Sequence, residues 1–291
     1  MTRELAFIER LRALATHPAA RDLKDDCAVL EVGAETLILT HDMLVEGIHY
    51  LPGADRADVA WKLVATNLSD LAAKGAEPLG VLLGHMLGPA DADFLRGLEE
   101  VLGHYGVPLL GGDTTSGGPP RADGLTAIGR ATFSPVPSRS GARPGDALYL
   151  TGPVGAAMAG FEALRDGTGE DSTAYRRPMA RLTEGRALAP HVTAMMDVSD
   201  GLLLDTARMA RASGVTMSLD TASVPLACPS AHLSAALRWG DDYELLFTAP
   251  AVTVLPLAVF RVGTVLEQAG APLLLDGVPL SEEDGLGYEH G

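Results

Sequence analysis

Residues 134–146, SPVPSRSGARPGD, carry three prolines and no apolar periodicity, and they break the 291-residue chain near its middle. The break constrains the fold because strand and helix patterns interleave on both sides of it. Before it, ETLILT (35–40), LGVLLGHML (79–87), VPLLGG (107–112) and LTAIGRATF (125–133) read as strands, and 57–76 and 91–106 read as helices. The second helix sets Leu95, Leu98, Val101, Leu102 and Tyr105 on one face. After the break, strands are expected at 147–152, 193–198 and in MSL, YELLFT and FRVGTV. Helices are expected at 156–164, around 179–189 and from Gly201, and LLLDGVPL (273–280) reads as a hairpin on a DG turn. Interleaving in both halves argues for an α/β (or α+β) fold with a sheet in each of two domains, 1–137 and 138–291.

The charge balance narrows the function. With 38 acids against 22 bases the net charge is −16, which disfavours nucleic-acid binding through a basic face. Lysine occurs only at 24, 62 and 74, and no GxxxxGK[ST] is present, so a Walker-type phosphate loop is excluded. HExxH, GxSxG and the protein-kinase catalytic loop are also absent. Cys27 and Cys228 form no CxxC, so neither a zinc site nor a disulfide framework is expected. No apolar run approaches the roughly 18 residues of a membrane span. MTRELAFIERLRAL alternates charge with apolar residues at helical spacing, so the expectation is a cytoplasmic protein that opens on an amphipathic helix.

The aspartates are placed suggestively. Asp42 follows ETLILTH, Asp113 follows VPLLGG, Asp197 ends a strand and Asp200 starts the helix behind it. Asp26 precedes the short apolar run CAVL, and Asp70 lies within a helix with Thr66, Asn67 and Lys74 on its side. Ligand crevices in α/β sheets form at strand termini, so these carboxylates can converge. Singly, each has a plainer reading. Asp200 suits an N-cap worth about 1 kcal/mol, and Asp70 with Lys74 a solvated i,i+4 pair worth about 0.3 kcal/mol. Asp113 suits a turn, Asp25–Asp26 a charged loop, and Asp205 a helix face outside any site. Gathered in one pocket, the carboxylates would raise each other's pKa values, a conflict that divalent cations remove. Hard oxygen ligands select Mg²⁺ or Mn²⁺, with Mg²⁺ arriving on substrate phosphates. GGDTTSGG (111–118) offers amides and hydroxyls of the kind that line phosphates, whereas TGPVG (151–155) suits a tight turn better.

DDCAVL (25–30), THDMLVEGIHY (40–50), NLSDLAAKGAEP (67–78), GGDTTSG (111–117), SRSGARPGD (138–146), DVSDGLLLD (197–205) and GDDYELLFT (240–248) together resemble the thiamine-monophosphate kinase family. Its parent group is the aminoimidazole-ribonucleotide-synthetase-like ATP-binding superfamily. The resemblance implies a two-domain synthetase-like fold, the N-terminal sheet dimerising into a barrel and a C-terminal mixed sheet carrying helices. It implies transfer of the γ-phosphoryl of ATP to thiamine monophosphate, directly and in line, with several Mg²⁺ ions. By the same match Asp26, Asp42, Asp70, Asp113, Asp197 and Asp200 would hold Mg²⁺, helped by Thr40 and the backbone of His41. Gly112, Asp113, Arg139, Ser199 and Tyr105 would meet ATP, and His49, Asp241 and Tyr288 the thiamine phosphate. Asp241 stands where the family has Glu, and the chain stops at Gly291, where the family has an aromatic that stacks on the pyrimidine. Two alternatives remain: an imidazole-ribonucleotide-type synthetase of the same superfamily, and a non-catalytic nucleotide- or thiamine-phosphate-binding protein.

Overall fold

Alternating apolar residues make the strands of the first half, and the order of pairing decides which face they bury. The computed structural model describes residues 3–281 and 284–289. The chain runs α1 (Arg3–Arg12), β1 (Ala28–Val32), β2 (Glu35–Val45), α2 (Arg56–Ala73), β3 (Ala76–Leu87), α3 (Asp91–Tyr105), β4 (Leu109–Ser116) and β5 (Ala122–Ala131). These strands form one mixed sheet in the order β1-β2-β5-β3-β4, with β3 and β4 its parallel pair. Ile38, Leu44, Val81, Leu125 and Ala127 point into the core beneath α2 and α3. The opposite face carries Met43 (50% exposed), Leu82 (39%) and Leu110 (53%).

The second half runs β6 (Asp146–Leu150), α4 (Ala156–Asp166), α5 (Thr173–Arg176), α6 (Leu182–Leu188), β7 (Ala194–Asp197), α7 (Leu202–Ser213) and β8 (Thr216–Leu219). It continues through α8 (Leu233–Trp239), β9 (Leu245–Pro250), β10 (Phe260–Leu266), β11 (Leu273–Leu275) and β12 (Val278–Leu280). Its sheet is also mixed, in the order β12-β11-β8-β10-β6-β9-β7. Tyr149, Met195, Leu245 and Phe247 join the core around α2, while Leu148, Met196, Leu246 and Val262 face the core that holds Leu202, Leu203 and Leu204 of α7.

Several expected elements shift. CAVL contributes a strand, β1, and α5 and α8 form where no helix was expected. β2 and β4 run past Asp42 and Asp113 because ladder pairing with β5 and β3 continues through them. The sequence left open how deeply α2, the helix of NLSD, is buried. Every residue of it except Trp61 is buried, so it is a core helix rather than a surface one. Two glycines let neighbours approach it closely. A Cβ on Gly97 of α3 would lie 2.2 Å from Ala57 O, and one on Gly185 of α6 would lie 2.0 Å from Ala72 O.

Candidate active site

Asn67, Ser69 and Asp70 fall within one turn of α2 and bind three different elements. Asn67 Oδ1 accepts the N–H of Asp42 at 3.0 Å, fixing β2 beside the helix. The Ser69 hydroxyl donates to Asp197 Oδ2 at 2.5 Å, fixing the end of β7. Asp70 accepts the Thr40 hydroxyl and, through its backbone carbonyl, the Cys27 thiol. The result brings carboxylate oxygens of Asp26, Asp70 and Asp197 within 4.8 Å of one another. They line a cavity of about 900 Å³ together with Asp42, His41, Arg139, Ser199 and Asp200.

The acids around this end divide by whether the protein supplies a cation. Lys74, buried, donates to Asp25 at 2.5 Å and to Asp26 at 2.9 Å, and so does not form the solvated pair with Asp70 that its spacing suggested. Arg21 pairs with Asp25 at 2.5 Å and Arg139 with Asp26. Burial would raise both carboxyls, but these cations hold them below the usual range. Among the described residues, no Lys or Arg pairs with Asp42, Asp70 or Asp197. Burial and the Asp26 carboxylate push Asp42 up to about 6 and Asp197 up to about 7. Burial and the carboxylates of Asp42 and Asp197 push Asp70 well up. Three crowded carboxylates without a protein cation are a donor set that fits hard divalent ions such as Mg²⁺.

Asp205 corrects a second expectation. It is buried rather than on an outer helix face, and its Oδ2 accepts the N–H groups of Ser199 at 3.1 Å and Asp200 at 3.0 Å. It therefore shapes the loop between β7 and α7, and Gly201, not Asp200, is the N-cap of α7. An acid sharing the apolar face of Leu202 and Met209 was the sequence signal for this role.

The same cavity is lined by Ile48 and by the aromatic residues Phe161, Tyr175, Trp239, Tyr243 and Tyr288. His49 and Asp241 line it too. His49 Nδ1 accepts the Val45 N–H at 2.9 Å. Asp241 accepts from the Tyr243 hydroxyl at 2.9 Å and pairs with Lys62 at 2.7 Å. Lys62 was not among the expected site residues. It is buried, donates to the His49 carbonyl at 3.2 Å and lies 4.0 Å over the Tyr175 ring. Gly291 lies outside the described residues.

Three residues expected at the nucleotide stand elsewhere. Tyr105 accepts the Ala180 N–H at 2.8 Å and packs beside Trp61 and His104, away from the cavity lining. Gly112 and Asp113 lie on the exposed edge strand β4, opposite Leu83 and Gly84 of β3. Within one chain, neither lines the cavity. The Gly155 amide of the TGPVG turn is engaged by Asp242 at 2.9 Å.

Comparison with known proteins bears on this geometry. Residues 24–131 match the family described as AIR synthase related protein, N-terminal domain, and residues 143–284 match its C-terminal domain. The thiamine-monophosphate kinase of Salmonella typhimurium is 36% identical over 296 residues, spanning 91% of this chain and 90% of that protein. The chain belongs to the thiamine-monophosphate kinase family. Membership places it among the kinases, which are transferases. The family member from Caulobacter vibrioides is 34% identical, with 94% and 86% of the two chains covered. Among solved members, AaThiL complexed with AMPPCP and TMP superposes with a TM-score of 0.87 at 27% identity, covering 96% of this chain and 94% of that one. The thiamine monophosphate kinase of Stenotrophomonas maltophilia gives 0.77 at 32% identity, with 93% and 95% covered. The two-domain fold with two mixed sheets is thus the family's own. Among the described residues no helix is long and apolar enough to cross a membrane.

Proposed function

We propose that this chain transfers the γ-phosphoryl group of ATP to the phosphate of thiamine monophosphate, releasing thiamine diphosphate and ADP. An acceptor phosphate oxygen forms the new bond to Pγ as the bond from Pγ to the β–γ bridging oxygen breaks. The acceptor is already an anion, so positioning and charge neutralisation suffice and no general base is required. The observation that carries this reading is one cavity in which Asp26, Asp70 and Asp197 bring carboxylate oxygens within 4.8 Å of one another, and which Asp42 and the rings of Phe161, Tyr175 and Trp239 also line. The family relative solved with AMPPCP and TMP supports the same pairing of substrates.

Asp26, Asp42, Asp70 and Asp197 would hold Mg²⁺, with Thr40 orienting Asp70 and the His41 backbone adjoining. Bound there, the ions would neutralise phosphate charge and polarise the phosphoryl oxygens. Arg139 and Ser199 would meet the nucleotide. His49, Asp241 and Tyr288 would meet the acceptor, whose cationic ring suits the carboxylate and the aromatic wall of Trp239 and Phe161. We assign ATP and metal binding chiefly to residues 1–137 and place the protein in the cytoplasm. We further assign a homodimer closed over the exposed face of the first sheet, which would return Gly112 and Asp113 to a site, that of the partner. Purified chain given Mg-ATP and thiamine monophosphate is expected to form thiamine diphosphate and ADP in equal amounts. Folded protein that makes neither, or releases ADP alone, overturns the reading.

A further inference from the structure

Lys62 is a buried cation that the transfer described above does not use. Its side chain, 3% exposed, reaches from α2 to donate to Asp241 Oδ2 at 2.7 Å and to the His49 carbonyl at 3.2 Å. The Tyr175 ring centroid lies 4.0 Å from Nζ, and the Tyr175 hydroxyl donates to the same carbonyl at 3.4 Å. A buried ion pair adds little stability over apolar side chains of the same volume, so stability alone does not explain it. Its position is more telling. One ammonium joins two of the residues assigned to the acceptor, and it reaches Asp241 from the other half of the chain. Lys62 itself does not line the large cavity; it lines a neighbouring one of about 480 Å³, and Tyr175 lines both.

Asp241 sits in a tightly held loop. Asp241 and Tyr243 both adopt positive φ, +57° and +51°, which non-glycine residues keep only where their surroundings fix them. The Asp241 N–H donates to the Ser199 carbonyl at 2.8 Å, and the Tyr243 N–H to that of Val198 at 2.9 Å. The Tyr243 hydroxyl donates to Asp241 Oδ1 at 2.9 Å, and Lys62 is the second anchor of the carboxylate. A carboxylate accepts about four hydrogen bonds. Asp241, 27% exposed, therefore lines the cavity with capacity left for an N–H donor there. Lys62 and Asp70 stand about 12 Å apart along α2, at about 1.5 Å per residue. The same helix thus carries an acid of the carboxylate cluster and the cation that anchors Asp241. We propose that Lys62 is a positioning residue for the acceptor: it fixes the Asp241 carboxylate and the His49 backbone and touches neither substrate. The inference rests on the reading that the cavity takes thiamine monophosphate against Asp241 and His49. A cation behind Asp241 would by charge alone oppose a cationic acceptor, so the direction of the effect separates positioning from charge.

Steady-state kinetics and calorimetric binding of Mg-AMPPCP to the wild type, Lys62→Met, Asp241→Asn and the double variant test this. Lys62→Met keeps the length of the side chain without its charge. Its KM for thiamine monophosphate is expected to rise about 10- to 100-fold, through loss of a charge-assisted hydrogen bond. Its kcat at saturating acceptor and its Mg-AMPPCP affinity should be unchanged. Because Lys62 acts through Asp241, the KM of the double variant should fall well short of the product of the two single losses. If Lys62→Met fails to fold, Lys62→Arg carries the test. It keeps a cation for Asp241 with a different reach, so its KM should rise by an intermediate factor with Mg-AMPPCP affinity kept. An unchanged or lowered KM, an equal loss of Mg-AMPPCP affinity, or single losses that multiply in full overturns the assignment. A wild type that binds Mg-AMPPCP but gives no turnover with thiamine monophosphate sinks the underlying function instead.

Discussion

Asp197 carries the conflict between stability and function in one side chain. Burial and the neighbouring Asp26 carboxylate raise its pKa from 3.8 to about 7, and Ser69 only partly opposes them. A carboxyl whose folded pKa lies above its unfolded value favours folding below the unfolded value and loses that favour as pH rises through the folded one. Metal-free protein should therefore lose stability between about pH 4 and pH 7, by on the order of 1–3 kcal/mol from this group. Asp197→Asn keeps an oxygen for the Ser69 hydroxyl and cannot ionise. Its metal-free melting temperature is expected to exceed the wild type's at pH 8 and to match it near pH 4. Mg²⁺ should reverse the order at pH 8, and turnover should fall by about 10²–10³. Equal melting curves at pH 8 without metal would remove the charge-repulsion account. The sequence made Asp197 visible as a strand-end acid able to converge with Asp26, Asp42 and Asp70, but not which of these acids the protein's own cations hold. Asp25 and Asp26 read as a charged loop because their partners Lys74 and Arg139 are about 48 and 113 residues away along the chain.

At the scale of elements, α2 is where pattern reading gave existence and left depth open. Its polar residues Asn67, Ser69, Asp70 and Lys74 suggested a solvated side, since one sequence cannot show that residues 25–27, β2 and β7 arrive to satisfy them. Polar groups that find partners can be buried along with the apolar ones. Periodicity gave the strands of both sheets; their order, which needs long-range pairing such as β5 between β2 and β3, lay beyond it. Because α2 carries Lys62, Asn67, Ser69 and Asp70, its packing sets the carboxylate cluster. Gly185→Ala would press a methyl to 2.0 Å from Ala72 O, and the backbone must yield. A loss of about 1–3 kcal/mol is expected in denaturant unfolding. The half-saturating Mg²⁺ concentration should rise as well, because Ser69 and Asp70 shift with the helix. Unchanged stability together with unchanged Mg²⁺ response would show that α6 has room to move, contrary to the contact.

At the scale of the whole molecule, the exposed face of the first sheet and the position of Asp113 pose one problem. Asp113 pairs with Gly84, Gly84 with Gly124, and Gly124 with Met43, next to Asp42. Three strand spacings separate β4 from β2, about 14 Å at about 4.8 Å each. A Mg²⁺ ion binds oxygens at about 2.1 Å, so Asp113 and Asp42 of one chain cannot share it across that span. Meanwhile Met43, Leu82 and Leu110 expose apolar surface of the kind that marks an interface. His41 and Met43 both lie on this sheet and line the cavity, so a second copy seated there would reach the site's edge. An isologous pair of chains could then bring each Asp113 to the other's acids. Mixing two inactive variants decides the matter. Asp113→Asn and Asp70→Asn, exchanged to equilibrium, give half heterodimers, each with one site free of both substitutions if Asp113 acts across the interface. Recovery of about a quarter of wild-type turnover is expected. No recovery, with heterodimers demonstrated by tagged pull-down, would place Asp113 outside the partner's site and leave the edge strand without a catalytic part.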